Sequence, residues 1–393
     1  MITINEAEAL VLAHSLRLDA ESVSLAHAHG RVLAQDLFAD HDLPPFHRVM
    51  MDGIALQHAA LINGQKSFVL QGIQRAGAPA SALLDPTQAI EVMTGSVLPL
   101  HCDTVIPYEE LSIADGVAQL NKLDFKWGQN IHPQGFDFPS GALLAEKGTT
   151  IHSGIIGIAA SIGQSTILVE RAPRIAIVST GDELVSIDSQ PAPHQIRRSN
   201  AHALQSLVAR LGWTSRLFHL NDNEADVSSG LDEVLQHYDV VLLSGGVSKG
   251  KFDLLPTFLE QKGVVKHFHF VQQKPGKPFW FGSRSSTLVF AFPGNPVSTL
   301  VCAHRYFVPW ALQQQGARNL ARTYVCLNED VEVKGSLEHL ISVRLTYPPN
   351  SLPLAHLVAG HGSGDFAHLA SVDGFVQTRT AKKGSIVPFF ALL

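Results

Sequence analysis

Cysteine is scarce in this chain. Its three copies, Cys102, Cys302 and Cys326, stand far apart, so they offer no disulfide framework, no Cys-x-x-Cys and no zinc spacing. A reducing, cytoplasmic setting is expected. Charged residues are sparse too, at 16%, but apolar residues make up an ordinary 45%. That excludes a disordered or polar-tract chain. Basic residues are in deficit: 29 Lys and Arg face 35 Asp and Glu, a net charge of −6. A general nucleic-acid binder needs the opposite balance against phosphates. Long apolar runs are also missing. The stretch Gly154–Gly163 falls well short of the ~20 residues that span a bilayer, so no membrane contact is expected. The first residues, MITINEAEAL, are acidic where a secretory leader needs basic ones.

A length of 393 residues suggests roughly two to four domains. Thr3 and Glu6 have capping-box spacing and open a helix whose apolar face holds Ala7, Leu10, Val11 and Leu18. Short runs at 67–72, 89–93, 104–108 and 117–123, separated by turn residues, predict a small β-rich domain. A Gly-, Pro- and Ser-rich connector covers 128–150. From Pro173 strands alternate with helices for ~140 residues, which predicts a mostly parallel sheet covered on both faces. Asn200 is expected to cap a helix ending at Gly212, and a long helix is expected over 297–313. After Ala321 the pattern returns to strands. The division expected is an extended domain (1–44 and 138–172), a small β-rich domain (45–137), a doubly wound α/β domain (173–320) and a C-terminal β domain (321–393).

In an open parallel sheet, ligands bind beyond the carboxyl ends of the strands. Three unusual segments follow predicted strands there: Ser179-Thr180-Gly181-Asp182-Glu183, Ser244-Gly245-Gly246-Val247-Ser248 and Pro293-Gly294-Asn295-Pro296-Val297-Ser298. Gly245 and Gly246 lack Cβ atoms, so backbone N–H groups can approach an anion closely. Asp182, Glu183 and Asp253 are hard oxygen ligands suited to Mg²⁺ beside a phosphate. Thr180 and Ser248 can donate to phosphate oxygens. The run from Gly245 to Lys251 resembles a P-loop, but Phe252 stands where that motif needs a hydroxyl, so the match is read as coincidental. Lys274-Pro275-Gly276-Lys277-Pro278 puts two lysines around a turn. The window from Ser248 to Lys277 holds six lysines and two acidic residues. A locally basic pocket in an acidic protein predicts a small anionic ligand. The histidines are scattered and read as surface or satisfied core residues. No Ser–His–Asp signature is apparent.

The set MDG (51–53), VMTG (92–95), STGDEL (179–184), SGGVS (244–248), KPGKP (274–278) and PGNPVS (293–298) resembles the molybdopterin molybdenumtransferases, the MoeA family, in the same order along nearly the whole chain. The resemblance implies insertion of molybdenum from molybdate into adenylylated molybdopterin, with release of AMP and a requirement for Mg²⁺. It also implies a four-domain homodimer whose cleft lies between the central domain of one subunit and the small β-rich domain of the other. Transient contact with other proteins of molybdenum cofactor biosynthesis would fit. By matching position, Asp52, Thr94, Asp137, Glu183 and Asp253 would be catalytic, with Glu183 and Asp253 on the metal. Lys274, Lys277, Pro293 and Pro296 would be functional, joined in binding by Asn200, Ser244, Gly276, Gly294, Asn295 and Ser298. The chain departs from the family's pattern at His47, Val49, His132, Phe136, Arg198 and Asn223, which removes carboxylates and one arginine. If His132 replaces that arginine against an anion, it would do so only when protonated. The alternatives weighed are a non-catalytic pterin-nucleotide scaffold and a nucleotide or pyrophosphate hydrolase on the same central domain.

Overall fold

The structure is a computed structural model that describes residues 1–247, 255–316 and 322–393. It divides into two compact units. One comprises Met1–Val23, His29–Val32 and Leu168–Leu393, the other Ser24–Ala28 and Leu33–Ile167.

The second unit is built on a six-stranded sheet. In spatial order its strands are Thr104–Pro107, Gly53–Leu56, Ala89–Val92, Ser67–Gln74, Val117–Leu120 and Leu111–Ala114. Two of these, Gly53–Leu56 and Leu111–Ala114, were not foreseen. The first is a run of fully buried residues without alternation, which period-two reading cannot detect. Gly53 has to be glycine, because a Cβ there would lie 1.9 Å from the carbonyl oxygen of Ile106. Beyond the sheet, the chain extends in two-residue ladders: Ile131–His132 against Arg48–Val49, and Leu143–Ala145 against Leu37–Phe38.

The larger unit holds the α/β sheet. Its order is Ser215–Leu220, Ile175–Thr180, Val240–Ser244, Thr287–Phe292, Trp280–Arg284, Val265–His269. The first four strands are parallel, and Trp280–Arg284 runs antiparallel to both its neighbours. The sheet is therefore mixed at one edge. Trp280–Arg284 was hidden in the sequence behind the KPGKP turn. Along Ile175–Thr180 the side chains alternate between two apolar clusters. Ile175 and Ile177 pack on one face, Ala176 and Val178 on the other. Both faces are thus covered, as the continuous apolar runs required. The capping box at Thr3 forms as expected and starts the helix Ile4–Leu12, which buries Ile4, Ala7 and Val11 in the first cluster. The expected long helix breaks into Pro296–Cys302, a π turn over Ala303–Phe307, and Val308–Gln314. Pro309 explains the widening, since it has no N–H to give the preceding turn.

The C-terminal strands Thr323–Leu327, Glu338–Thr346, Leu354–Leu357, Gly374–Thr378 and Ile386–Ala391 close on themselves, because Glu338–Thr346 also pairs with Gly374–Thr378. Closure removes free edges. Gln273–Lys274 joins this small barrel in parallel with Glu338–Thr346, setting Lys274 opposite His339. Among the described residues no helix is long and apolar enough to cross a membrane.

Candidate functional site

The carboxyl ends of three parallel strands open into a cleft of about 570 Å³. Thr180, Gly181 and Glu183 come to it from the first motif, Ser244, Gly245 and Gly246 from the second, and Pro293, Gly294, Asn295 and Pro296 from the third. Three motifs spread over more than a hundred residues thus meet in one wall. Gly245 has φ +103, and a Cβ on it would sit 2.9 Å from Thr180 O. Glycine there lets the strand ends close on each other as well as exposing backbone. A Cβ on Gly181 would meet Glu183 Oε2 at 2.5 Å, so the Glu183 carboxylate folds back over the glycine, at the cleft.

Asn200 corrects an expectation. The helix spans Ser199–Arg210 and its capping position is Arg198. Asn200 lies inside the first turn and ties the loops together. Its Nδ2 donates to Ser244 Oγ at 2.8 Å, Gly294 O at 2.7 Å and Thr299 Oγ1 at 3.2 Å. Its Oδ1 and the hydroxyl of Thr180 are buried with no partner among the described residues. Both belong to residues lining the cleft. A buried polar atom without a partner is costly, so these two oxygens mark where a polar ligand would bind. Asp182 Oδ1 accepts from the backbone N–H of Asp222 at 2.9 Å. Asp222 itself lines the cleft, as do Arg197 and Arg198; of these only Arg198 stood out in the sequence, as a departure from the family's pattern. Ser248 and Asp253 lie outside the described residues.

A second pocket of about 470 Å³ shares Pro278, Pro293 and Asn295 with the first. Lys274, Gly276, Lys277 and Ser298 line one side, His339, Ser342 and His368 of the C-terminal barrel the other. Gly276 has φ +87, and a Cβ on it would strike Cys302 Sγ at 2.5 Å. Burial, then the Lys274 ammonium, push His339 below the ordinary histidine range. Lys274 and Lys277 bring two cationic side chains to this pocket. Ser342 Oγ lies 2.9 Å from His368 Nε2, and His368 Nδ1 lies 2.5 Å from Asp365 O. The segment carrying Asp365 and His368 also reaches the first cleft through Gly364, and Asn295 Nδ2 donates to Ser363 Oγ at 2.8 Å. No sequence signal pointed to this loop or its histidines.

The smaller unit carries the remaining carboxylates. Asp52 Oδ1 accepts from the Thr94 amide at 2.6 Å and the Thr94 hydroxyl at 2.7 Å. These bonds, the amide first, hold Asp52 below the ordinary carboxylate range. Asp137 Oδ1 lies 2.9 Å from His132 Nε2. The short strand Arg48–Val49 links the two groups. It is paired on one side with Ile131–His132 and bonded on the other to the Thr94 turn through Val49 N to Ser96 O and Gly95 N to Val49 O. The departures have local explanations. Asn223 caps the helix Glu224–His237 by accepting from Asp226 N, and Val49 is fully buried. His47 Nδ1 accepts from Gln134 N at 3.1 Å. Phe136 packs edge-on to His132, ring centroids 5.6 Å apart. The expected role of His132 as a free anion contact is not what the geometry gives, because both its ring nitrogens face protein partners.

Comparison with known proteins agrees with this arrangement. Residues 2–163 match the model of the MoeA N-terminal region (domain I and II), and residues 176–313 that of a probable molybdopterin binding domain. The chain is 39% identical to a molybdopterin molybdenumtransferase of Synechocystis sp., over 100% of both chains. It is 30% identical to one from Bacillus subtilis, over 80% of this chain and 76% of that one. The crystal structure of a molybdopterin biosynthesis MoeA protein from Pyrococcus horikoshii shares the fold, with a TM-score of 0.83 at 24% identity, over 100% of this chain and 100% of that one. With the motif clefts, the paired Asp52 and Thr94, and a full-length relative at this identity all in agreement, the chain belongs to the MoeA family.

Proposed function

We propose that this protein is a molybdopterin molybdenumtransferase that takes molybdenum from molybdate into adenylylated molybdopterin and releases AMP. The observation that carries the reading is the first cleft. Two orphaned buried oxygens, Thr180 Oγ1 and Asn200 Oδ1, stand in it with glycine backbone, the start of a twelve-residue helix and the side chains of Arg197 and Arg198. Helix starts and arginines favour phosphate groups, so a pyrophosphate-bearing nucleotide suits this wall. The neighbouring pocket, with Lys274 and Lys277, suits the molybdate oxyanion and the substrate's remaining phosphate charge.

Mg²⁺ fits the same cleft. Such an ion takes one or two protein carboxylates and completes its shell with phosphate oxygens and water. Glu183 and Asp222 line the wall, and Asp253 is assigned to the ion from the family resemblance. Substrate phosphate oxygens and water would complete the shell. Mg²⁺ held there would supply charge neutralisation at the pyrophosphate. The chain's own groups orient that linkage: Asn200 ties the second and third motif loops to the start of its helix, and the arginines and lysines hold the anions. Asp52, set by Thr94, and Asp137 are the carboxylates assigned to the metal-transfer end. We also infer a homodimer, in the cytoplasm, in which each cleft combines the α/β wall of one copy with the Asp52 wall of the other. We also propose the four-part division of the chain, 1–44 with 138–172, 45–137, 173–320 and 321–393.

The test incubates purified protein with adenylylated molybdopterin, molybdate and Mg²⁺. Stoichiometric release of AMP with formation of active cofactor supports the transferase. AMP release that needs no molybdate points to the hydrolase. Tight binding with no turnover points to the scaffold.

A further inference from the structure

Arg48 and His132 are direct cross-strand partners in the small antiparallel ladder. Arg48 Nη2 lies 3.0 Å from His132 Nδ1, and His132 Nε2 lies 2.9 Å from Asp137 Oδ1. A guanidinium has only donors. The Nδ1 lone pair must therefore accept, which puts the ring proton on Nε2, where it donates to Asp137. The backbone around Asp137 is pinned as well: its own N–H donates to Leu43 O at 2.9 Å, and that of Gly135 to Pro44 O at 3.0 Å. Arg48 and Asp137 both line a shallow cleft with Leu43, Pro44 and Pro45. The charged and titratable groups nearest the ring are Arg48 and Asp137. His47 and Asp42 in the adjoining loops are engaged with Gln134.

We infer that Arg48, His132 and Asp137 form one relay, in which Arg48 is a positioning residue that acts through His132 to fix the tautomer facing Asp137. Asp137 is thereby held by one oxygen, and its Oδ2 has no partner among the described residues. Arg48 also supplies the fixed positive charge of this face, a role His132 cannot fill while its Nδ1 accepts from the guanidinium. A carboxylate acting on a bound oxyanion or metal centre has to be oriented, and here a residue two steps removed does it. The inference rests on the transferase reading for its kinetic arm only.

The test uses the full-length chain. Nitrogen-15 NMR of the His132 ring, assigned with His132→Gln, reads the tautomer in wild type, Arg48→Lys and Arg48→Met. Wild type and Arg48→Lys should show a proton fixed on Nε2; Arg48→Met should show a mixture of tautomers. In the AMP-release assay, Arg48→Met should lower kcat about tenfold with KM for the nucleotide near the wild-type value, and Arg48→Lys should recover most of it. At position 132 the contrast is sharper. Glutamine can accept from Arg48 and donate to Asp137, so His132→Gln should stay active where His132→Met does not. An unchanged tautomer in Arg48→Met, or equal activity of the Gln and Met variants at 132, overturns the relay. Should wild type release no AMP at all, the transferase reading fails and the NMR arm still decides the relay.

Discussion

Glu183 and Asp239 sit at opposite ends of the same sheet and show what single carboxylates do here. Glu183 lies over Gly181 at the ligand edge. Glu183→Gln keeps the shape but removes a hard anionic ligand. AMP release should fall at least tenfold at limiting Mg²⁺, with an unaltered thermal transition; a wild-type rate there would remove Glu183 from the metal site. Asp239 is buried at the other end. Burial alone would raise its pKa, but Arg171, Arg174 and the Arg174 backbone N–H bring it down to about 2. A folded-state pKa below the unfolded one contributes stability that is present above pH ~4 and lost as pH falls toward ~2. The contribution is on the order of 2 kcal/mol. Urea unfolding at pH 2.5 to 6 should show wild type losing this stability and Asp239→Asn lacking that component, while activity at neutral pH per folded molecule is the same.

At the scale of elements, the π turn Ala303–Phe307 places a cation where three parts of the larger unit meet. Arg305 is fully buried. It pairs with Glu8 of the first helix at 2.6 Å, and its Nε donates to Gln377 of the barrel strand Gly374–Thr378 at 3.0 Å. Breaking a buried pair costs up to about 3–5 kcal/mol when the other partner is left uncompensated; Glu8 would keep its second ion pair, with Arg322 at 2.6 Å, but would lose the buried one. Arg305→Met should therefore lower Tm markedly, while the double variant Arg305→Met with Glu8→Gln should regain part of it. A double variant no more stable than the single would show that the pair contributes no coupling. In the smaller unit, Gly53→Ala drives a methyl into Ile106 O. The strand Gly53–Leu56 joins two neighbours and directly follows Asp52, so this variant should lose both stability and Asp52 function.

For the whole molecule, the proposed homodimer makes a sharp demand. If each cleft takes Asp52 from one copy and Glu183 from the other, Asp52→Asn and Glu183→Gln variants should each be inactive alone. Unfolded together and refolded, half their dimers are mixed, and each mixed dimer has one intact cleft. Roughly a quarter of wild-type activity should return. Light scattering should give about twice the 42.5 kDa chain mass. Absence of complementation in a dimer that exchanges subunits would place all catalytic groups in one chain.

Much of the central domain was legible in the sequence because buried parallel strands read as continuous apolar runs, and their carboxyl ends must share one edge. That logic alone gathered Thr180, Ser244, Gly245, Gly294 and Asn295 into one wall. Helix ends with local signals were equally plain: the Thr3–Glu6 box and the Gly212 stop depend on neighbours a few residues away. What the sequence could not determine were the pairings between distant side chains. Asn200 has the composition of a cap, yet its partners lie 44, 94 and 99 residues away, and only packing of the loops decides between the two roles. His132 looked like a weakened arginine until the ladder set Arg48 against its Nδ1. The barrel loop with Ser363 and Gly364 is held at the first cleft by bonds from Asn295 Nδ2 and Val297 N to Ser363, partners more than 60 residues away in sequence. Periodicity specifies which face of an element is buried. Which partner that face meets is settled by the folded chain, where contacts between remote residues are made together or not at all.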